Sequence, residues 1–117
     1  PKNYQNVGQP ILIPGSMGTS SWVLVGTDKA EQASFSSTAH GAGRVKSRTA
    51  IKQEFTDKQI QEQLREKGIS LKAGSQRGIV EEAPQAYKNV DEVVNVSHKA
   101  GIGNLVAKLK PIIVIKG

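Results

Sequence analysis

No uninterrupted apolar run in this chain of 117 residues is longer than the four residues of Ile112–Ile115. A helix that crosses a bilayer needs about 20 mostly apolar residues, so none is expected. With 12 Gly and 5 Pro between the short runs, the chain must fold as short strands and helices joined by many turns. The length suits one domain or a piece of one, and a chain of this size buries about two-thirds of its unfolded surface. The core is a lean one, since aromatics make up only 4% and apolar residues 37%. Cysteine is absent, which removes disulfides, thiolate zinc sites and cysteine nucleophiles together. The polar amino end predicts no signal peptide. A soluble, cytoplasmic chain or fragment is expected.

The pattern predicts an α+β class of mixed short strands and helices, with residues 1–117 forming one unit. Residues 1–10 read as an extended lead-in. Ile11–Ile13 and Trp22–Val25 read as strands joined by a loop of small residues. Asp28–Ser34 predicts a helical turn or two, and Arg44–Phe55 a helix anchored by Val45, Ile51 and Phe55. Thr56 is a good N-cap for a helix carrying Ile60 and Leu64 that stops at Gly68. Ile69–Leu71 alternates as a short strand. Ile79–Ala83 predicts a single turn before Pro84. Asn89 or Asp91 caps a helix through Val90, Val94 and Ser97, and Leu105–Leu109 predicts a further helical piece. Pro111 opens the strand Ile112–Ile115, whose lack of alternation predicts burial on both faces.

Charge is unevenly distributed. The formal net charge is +6, and between Glu31 and Glu54 there is no acid, while Arg44, Lys46, Arg48 and Lys52 are present. After Glu92 the chain again lacks acids but carries Lys99, Lys108, Lys110 and Lys116. Two such stretches suit a phosphate-bearing partner, although lysines of this kind also serve solubility alone.

The chain has 2 histidines. His98 falls in a helical pattern beside Lys99 with no partner at metal-ligand spacing, and reads as structural. His40 lies among Ser36, Ser37, Thr38, Ala39, Gly41, Ala42 and Gly43, where small neighbours admit a large anion. Gly41 and Gly43 are able to aim several amides at one phosphate. A helix starting here would add its positive end and put Arg44 and Arg48 on one face. A neutral imidazole in that setting is a candidate nucleophile toward phosphorus; a solvated histidine in a Gly-rich turn has the same sequence. The loop Pro14–Ser21 offers free amides and four hydroxyls to a phosphate or a base edge, but lacks the lysine of a P-loop.

Four segments together carry a family likeness. Ile13-Pro14-Gly15-Ser16-Met17-Gly18-Thr19, His40-Gly41-Ala42-Gly43-Arg44, Glu81-Glu82-Ala83-Pro84 with Tyr87, and the closing Val114-Ile115-Lys116-Gly117 resemble the RtcB-type RNA-splicing ligases, in the family's order and over nearly the whole chain. The resemblance implies a GTP- and manganese-dependent RNA ligase acting in tRNA splicing and RNA repair. It joins RNA 3′-phosphate or 2′,3′-cyclic phosphate ends to 5′-hydroxyl ends through a guanylate on the histidine matching His40. It further implies that Pro14, Gly15, Ser16, Met17 and Ser21 line the guanylate site. His40, Gly41, Ala42 and Gly43 would hold its phosphate, and Tyr87 and Lys116 would contact guanine. Arg44 and Arg48 fit an RNA or triphosphate clamp, on charge more than on motif.

Members of that family are several times longer, and the resemblance places their manganese ligands ahead of the part present here. No metal ligand is assigned within this chain. The chain is then expected to be the carboxyl-terminal fragment of a larger catalytic domain, inert alone. Its expected partners are RNA, the missing amino-terminal portion of the ligase and an archease-type activator. A non-catalytic basic RNA-binding module and a phosphohistidine carrier are the other classes the residues allow. Against the binding module, the rings of Tyr4, Trp22, Phe35, Phe55 and Tyr87 are scattered, whereas single-strand binders offer several stacking platforms. Labelling by GTP with manganese and the missing portion separates the three.

Overall fold

The computed structural model describes residues 2–75 and 78–117. Pro1, at the head of the expected lead-in, lies outside the described residues. In chain order the elements are β1 (Pro10–Ile13), β2 (Ser21–Gly26), α1 (Lys29–Ser34), α2 (Arg48–Glu54), α3 (Asp57–Glu66), β3 (Ser70–Ala73), α4 (Val90–Lys99), β4 (Gly103–Leu109) and β5 (Ile113–Lys116). The class is α+β, as the sequence pattern indicates. The chain divides into two compact units, one of Pro1–Gly15, Ser20–Ala42 and Asn89–Leu109, the other of Ser16–Thr19, Gly43–Lys88 and Lys110–Gly117. No helix among the described residues is long and apolar enough to cross a membrane.

The first unit is built on an antiparallel sheet in the order β1-β2-β4. β1 and β2 form the expected pair, with Pro10 opposite Val25 and Ile13 opposite Trp22. Ile13 and Leu24 are fully buried. α4 is capped by Asn89, whose side chain accepts from the Asp91 amide at 2.9 Å. Its buried Val90, Val94 and Ser97 recur at helical spacing. Lys2–Tyr4 is a 3₁₀ turn rather than extended chain, and the Gly8 amide closes it by donating to Tyr4 O at 2.8 Å.

Leu105–Leu109 is not helical; it belongs to β4. Leu105 and Ala107 are half-buried while Asn104, Val106 and Lys108 are exposed, a period of two that the helix-like spacing of Leu105 and Leu109 masks. Val23 stands opposite Ala107 and Leu24 opposite Leu105, so Val106 is the extra residue of a bulge. Without β4, the central strand β2 would leave one row of N–H and C=O groups unpaired.

The second unit has its own core, made of Met17, Ile51, Ile60, Leu64, Ile69, Ile79, Val80, Ala83 and Ala86. α3 starts with a capping box, in which Thr56 Oγ1 accepts from the Gln59 amide and Gln59 Oε1 accepts from the Thr56 amide. Gly68, at φ +73°, turns the chain out of the helix. Val80–Glu82 and Pro84–Ala86 are 3₁₀ turns.

The expected helix from Arg44 begins instead at Arg48. Ser47 caps it, its hydroxyl accepting from the Ala50 amide at 3.0 Å, and Arg44 forms an isolated antiparallel bridge with Tyr87. The expectation of a closing strand buried on both faces is overturned as well. Among the described residues β5 pairs in parallel with β3 alone, Ser70 opposite Ile113 through Ala73 opposite Lys116. Ile113 is 60% and Ile115 81% exposed, while Val114 packs against the core. An unbroken apolar run does not distinguish two covered faces from one when its neighbours are unknown.

Candidate functional site

The expected site residues fall in both units, and each group has its own geometry. In the first unit Phe35 and Ser36 both take left-handed φ, 53° and 58°, and turn the chain off α1 into the His40 segment. Ala42 is buried and anchors that segment, while the His40 ring is exposed and has no hydrogen bond among the described residues. Gly41 lies along Pro14, and a Cβ there would sit 3.5 Å from Pro14 O. No helix starts at residues 40–43, so the expected dipole is absent; the next helix starts at Arg48. Of the two glycines only Gly43 has a positive φ, +71°.

The loop between β1 and β2 satisfies itself more than its sequence suggests. The Gly15 amide donates to Ser21 Oγ at 3.2 Å within the first unit. In the second, the Ser16 amide donates to Thr19 Oγ1 at 2.8 Å, and the Thr19 amide to Ser16 O at 3.2 Å. Two of the four hydroxyls expected to face a ligand, those of Thr19 and Ser21, thus hold the loop's own amides, as short Ser/Thr turns do. Met17 is buried in the core.

Tyr87 and Arg44 form a network in the second unit. Arg44 Nη1 donates to Tyr87 Oη at 2.9 Å, and the guanidinium carbon lies 4.9 Å from the ring centroid. The Tyr87 hydroxyl donates to Glu82 Oε2, and Arg44 Nη1 lies 3.8 Å from Glu82 Oε1. Arg44 Nη2 is buried with no partner among the described residues. Burial, followed by the hydrogen bond to Glu82, pushes the Tyr87 hydroxyl above its ordinary range, against a smaller pull from Arg44. The segments are tied beside this network by Val45 N donating to Ala86 O at 2.8 Å and Lys88 N to Gly43 O at 2.9 Å.

Arg44 and Arg48 do not share a helix face. Arg48 stands instead with Lys52 on α2, and both reach Glu81, Arg48 Nε at 3.4 Å and Lys52 through its ammonium. The hydrogen bond from Lys52 holds the Glu81 carboxyl below its ordinary range, with Arg48 and Lys116 adding to the pull. Lys116 donates from Nζ to Gly78 O at 3.0 Å, which fixes its head group. Glu81, Glu82 and Lys52 take part in the geometry without having been singled out as site residues. The adjacent acids within the third motif were the signal. His98 lies exposed in the last turn of α4. Among the described residues no three His, Cys, Asp or Glu side chains are grouped to hold a metal ion.

A family model described as tRNA-splicing ligase RtcB matches residues 1–117. Curated proteins named tRNA-splicing ligase RtcB are similar to the chain. One from Pyrococcus abyssi (strain GE5 / Orsay) is 55% identical over 117 residues, covering 100% of this chain and 13% of that protein. One from Archaeoglobus fulgidus is 52% identical over 117 residues, covering 100% and 24% respectively. One from Nanoarchaeum equitans is 50% identical over 114 residues, covering 97% and 24%. The chain spans about an eighth to a quarter of the length of the curated relatives it matches.

Proposed function

This chain belongs to the RtcB family, and from that premise we propose that it is the nucleophile-bearing part of an RNA ligase. The reaction proposed joins an RNA 3′-phosphate, or a 2′,3′-cyclic phosphate after hydrolysis, to a 5′-hydroxyl, with GTP as the energy source. The carrying observation is the match of the family over the whole chain, which takes in His40 and all four motif segments.

In this reading a His40 ring nitrogen attacks the α-phosphorus of GTP with its lone pair. The bond from that phosphorus to the bridging oxygen breaks, and pyrophosphate leaves with the electron pair. The 3′-phosphate of one RNA end then takes the guanylate from His40. The 5′-hydroxyl of the other end attacks the phosphorus of that RNA 3′-phosphate and loses its proton, and the bond from this phosphorus to the oxygen shared with the guanylate breaks, releasing GMP. The bare, exposed ring of His40 supports the first step, since no internal hydrogen bond has to break before its nitrogen attacks. Pro14, Gly15, Ser21, Gly41 and Ala42 of the first unit serve the guanylate, as do Ser16, Met17, Gly43, Tyr87 and Lys116 of the second. Arg44 and Arg48 serve phosphates. Among the described residues no group of His, Cys, Asp or Glu fits a manganese site, so the proposal assigns manganese to residues outside this chain and routes no step through it.

We also read the chain as the carboxyl-terminal part of a larger catalytic domain. The exposed Ile113 and Ile115 support this, because parallel strands are ordinarily covered on both faces. RNA and the remainder of the ligase polypeptide are its partners in this reading, with an archease-type protein as activator.

The test is guanylate transfer from α-labelled GTP in a family-length polypeptide carrying this sequence. His40→Ala should abolish labelling, and His98→Ala should label normally. Labelling that survives His40→Ala, or equal loss in both variants, overturns the assignment.

A further inference from the structure

Arg48 and Lys52 stand one turn apart on α2, and two like charges at that spacing destabilise an isolated helix. Their proximity is relieved by Glu81, which gives each cation its own oxygen, Oε2 to Arg48 at 3.4 Å and Oε1 to Lys52. The exposures are unequal, at 66% for the Arg48 side chain, 49% for Lys52 and 25% for Glu81. The cations therefore stay open to solvent while the carboxylate lies beneath them. Lys116, held on Gly78 O at 3.0 Å, adds a third positive charge within reach of the same carboxylate. Exposed ion pairs of this kind are individually weak and exchange readily.

We propose that Arg48 and Lys52 form a phosphate-binding pair occupied internally by Glu81, and that this occupant makes the pair select a terminal phosphate over an internal phosphodiester. The inference rests on the RNA-ligase reading above. An internal phosphodiester carries a single negative charge, so exchanging it for Glu81 gains little. A terminal phosphate carries about −1.5 to −2 at neutral pH and offers three strong acceptor oxygens, which satisfy both cations better than the carboxylate does. Two sources of such a group exist in the proposed reaction, the RNA 3′-phosphate and the end of the nucleotide triphosphate.

The experiment compares the binding of a short single-stranded RNA ending in 3′-phosphate with the same RNA ending in 3′-hydroxyl, in the family-length protein carrying this sequence. The unmodified protein should favour the 3′-phosphate end about tenfold, and Glu81→Gln should tighten the 3′-hydroxyl RNA and shrink that ratio to about threefold or less. Glu62→Gln, which removes an exposed carboxylate paired with Arg65 on α3, should leave the ratio unchanged. An unchanged ratio in Glu81→Gln, or the same change in Glu62→Gln, overturns the inference. Should Glu81→Gln fail to fold, Lys52→Gln reads the same quantity, and a ratio unchanged there also overturns it. Competition by GTP against the 3′-phosphate RNA, lost in Lys52→Gln, assigns the pair to the triphosphate; absence of competition assigns it to the RNA end. Binding of neither RNA nor GTP by the unmodified protein overturns the ligase reading and the inference together. RNA binding with an unchanged ratio in the variants overturns the inference alone.

Discussion

Replacing Glu82 by alanine removes the acceptor of the Tyr87 hydroxyl and the counter-ion of Arg44 in one step. The side-chain exposures of Arg44 and Glu82, 24% and 32%, place the pair between two limits. Open surface pairs are worth about 0.2–1 kcal/mol, and breaking a fully buried pair costs about 3–5 kcal/mol. Arg44 would keep Lys46 O on Nε at 3.1 Å and Tyr87 Oη on Nη1, but its Nη2 is buried and unbonded among the described residues. A loss of about 1–2 kcal/mol is therefore expected from Glu82→Ala. Tyr87→Phe removes two hydrogen bonds from the same atoms but leaves Arg44 and Glu82 close enough to pair directly, so about 1 kcal/mol is expected. The two losses overlap, and the double variant should be about 0.5–1 kcal/mol more stable than the sum of the singles predicts. Urea titration followed by far-ultraviolet circular dichroism reads the loss of helix on unfolding, with midpoints compared at constant slope. If Tyr87→Phe costs as much in the Glu82→Ala background as in the unmodified chain, the network does not act as one.

Asp91 accepts from Trp22 Nε1 at 2.8 Å and from Lys108 at 2.5 Å, and these bonds hold its carboxyl below the ordinary value of 3.8. Such a group contributes stability above its unfolded pKa and loses it as pH falls through the lower folded pKa. The gap in melting temperature between the unmodified chain and Asp91→Asn should therefore narrow as the pH is lowered below about 4; parallel curves would rule this out. Thr56→Ala removes half of the capping box of α3, and about 1 kcal/mol should be lost. Unchanged urea midpoints would mean that Gln59 or water replaces the cap.

Where the chain marks its own boundaries, the fold was legible. Thr56 with Gln59 and then Gly68 bracket α3, and Asn89 opens α4 where the pattern put a cap. β1 and β2 stand where Pro10, Pro14 and Gly26 delimit apolar runs. The failures share a cause, because β4 and β5 depend on neighbours distant in sequence. β4 is a strand because β2 needs a second ladder, and the helix-like spacing of Leu105 and Leu109 hides the alternation that would have announced it. β5 has an exposed face because only β3 lies beside it among the described residues, which four consecutive β-branched residues do not reveal. In the β1–β2 loop, small polar residues signalled a ligand, yet Ser21 and Thr19 hold the amides of Gly15 and Ser16.

The cations were displaced for a reason that was readable in part. Ser47 is an N-cap residue inside the stretch expected to be helical, and a cap there moves the helix start from Arg44 to Arg48. That shift leaves Arg44 in extended chain opposite Tyr87 and makes Lys52, rather than Arg44, the helical neighbour of Arg48. What the sequence does not show is how Glu81 and Glu82 divide these cations, since both acids lie far along the chain. Asp57 Oδ1 accepts from the Val80 amide at 2.8 Å and ties their 3₁₀ turn to the start of α3. With three residues to a turn, consecutive 3₁₀ side chains diverge by about 120°. Two adjacent carboxylates on such a turn point to different neighbours: Glu81 takes Arg48 and Lys52, and Glu82 takes Arg44 and Tyr87. Exchanging either glutamate for its amide should consequently alter one cation group and leave the other's ion pairs in place.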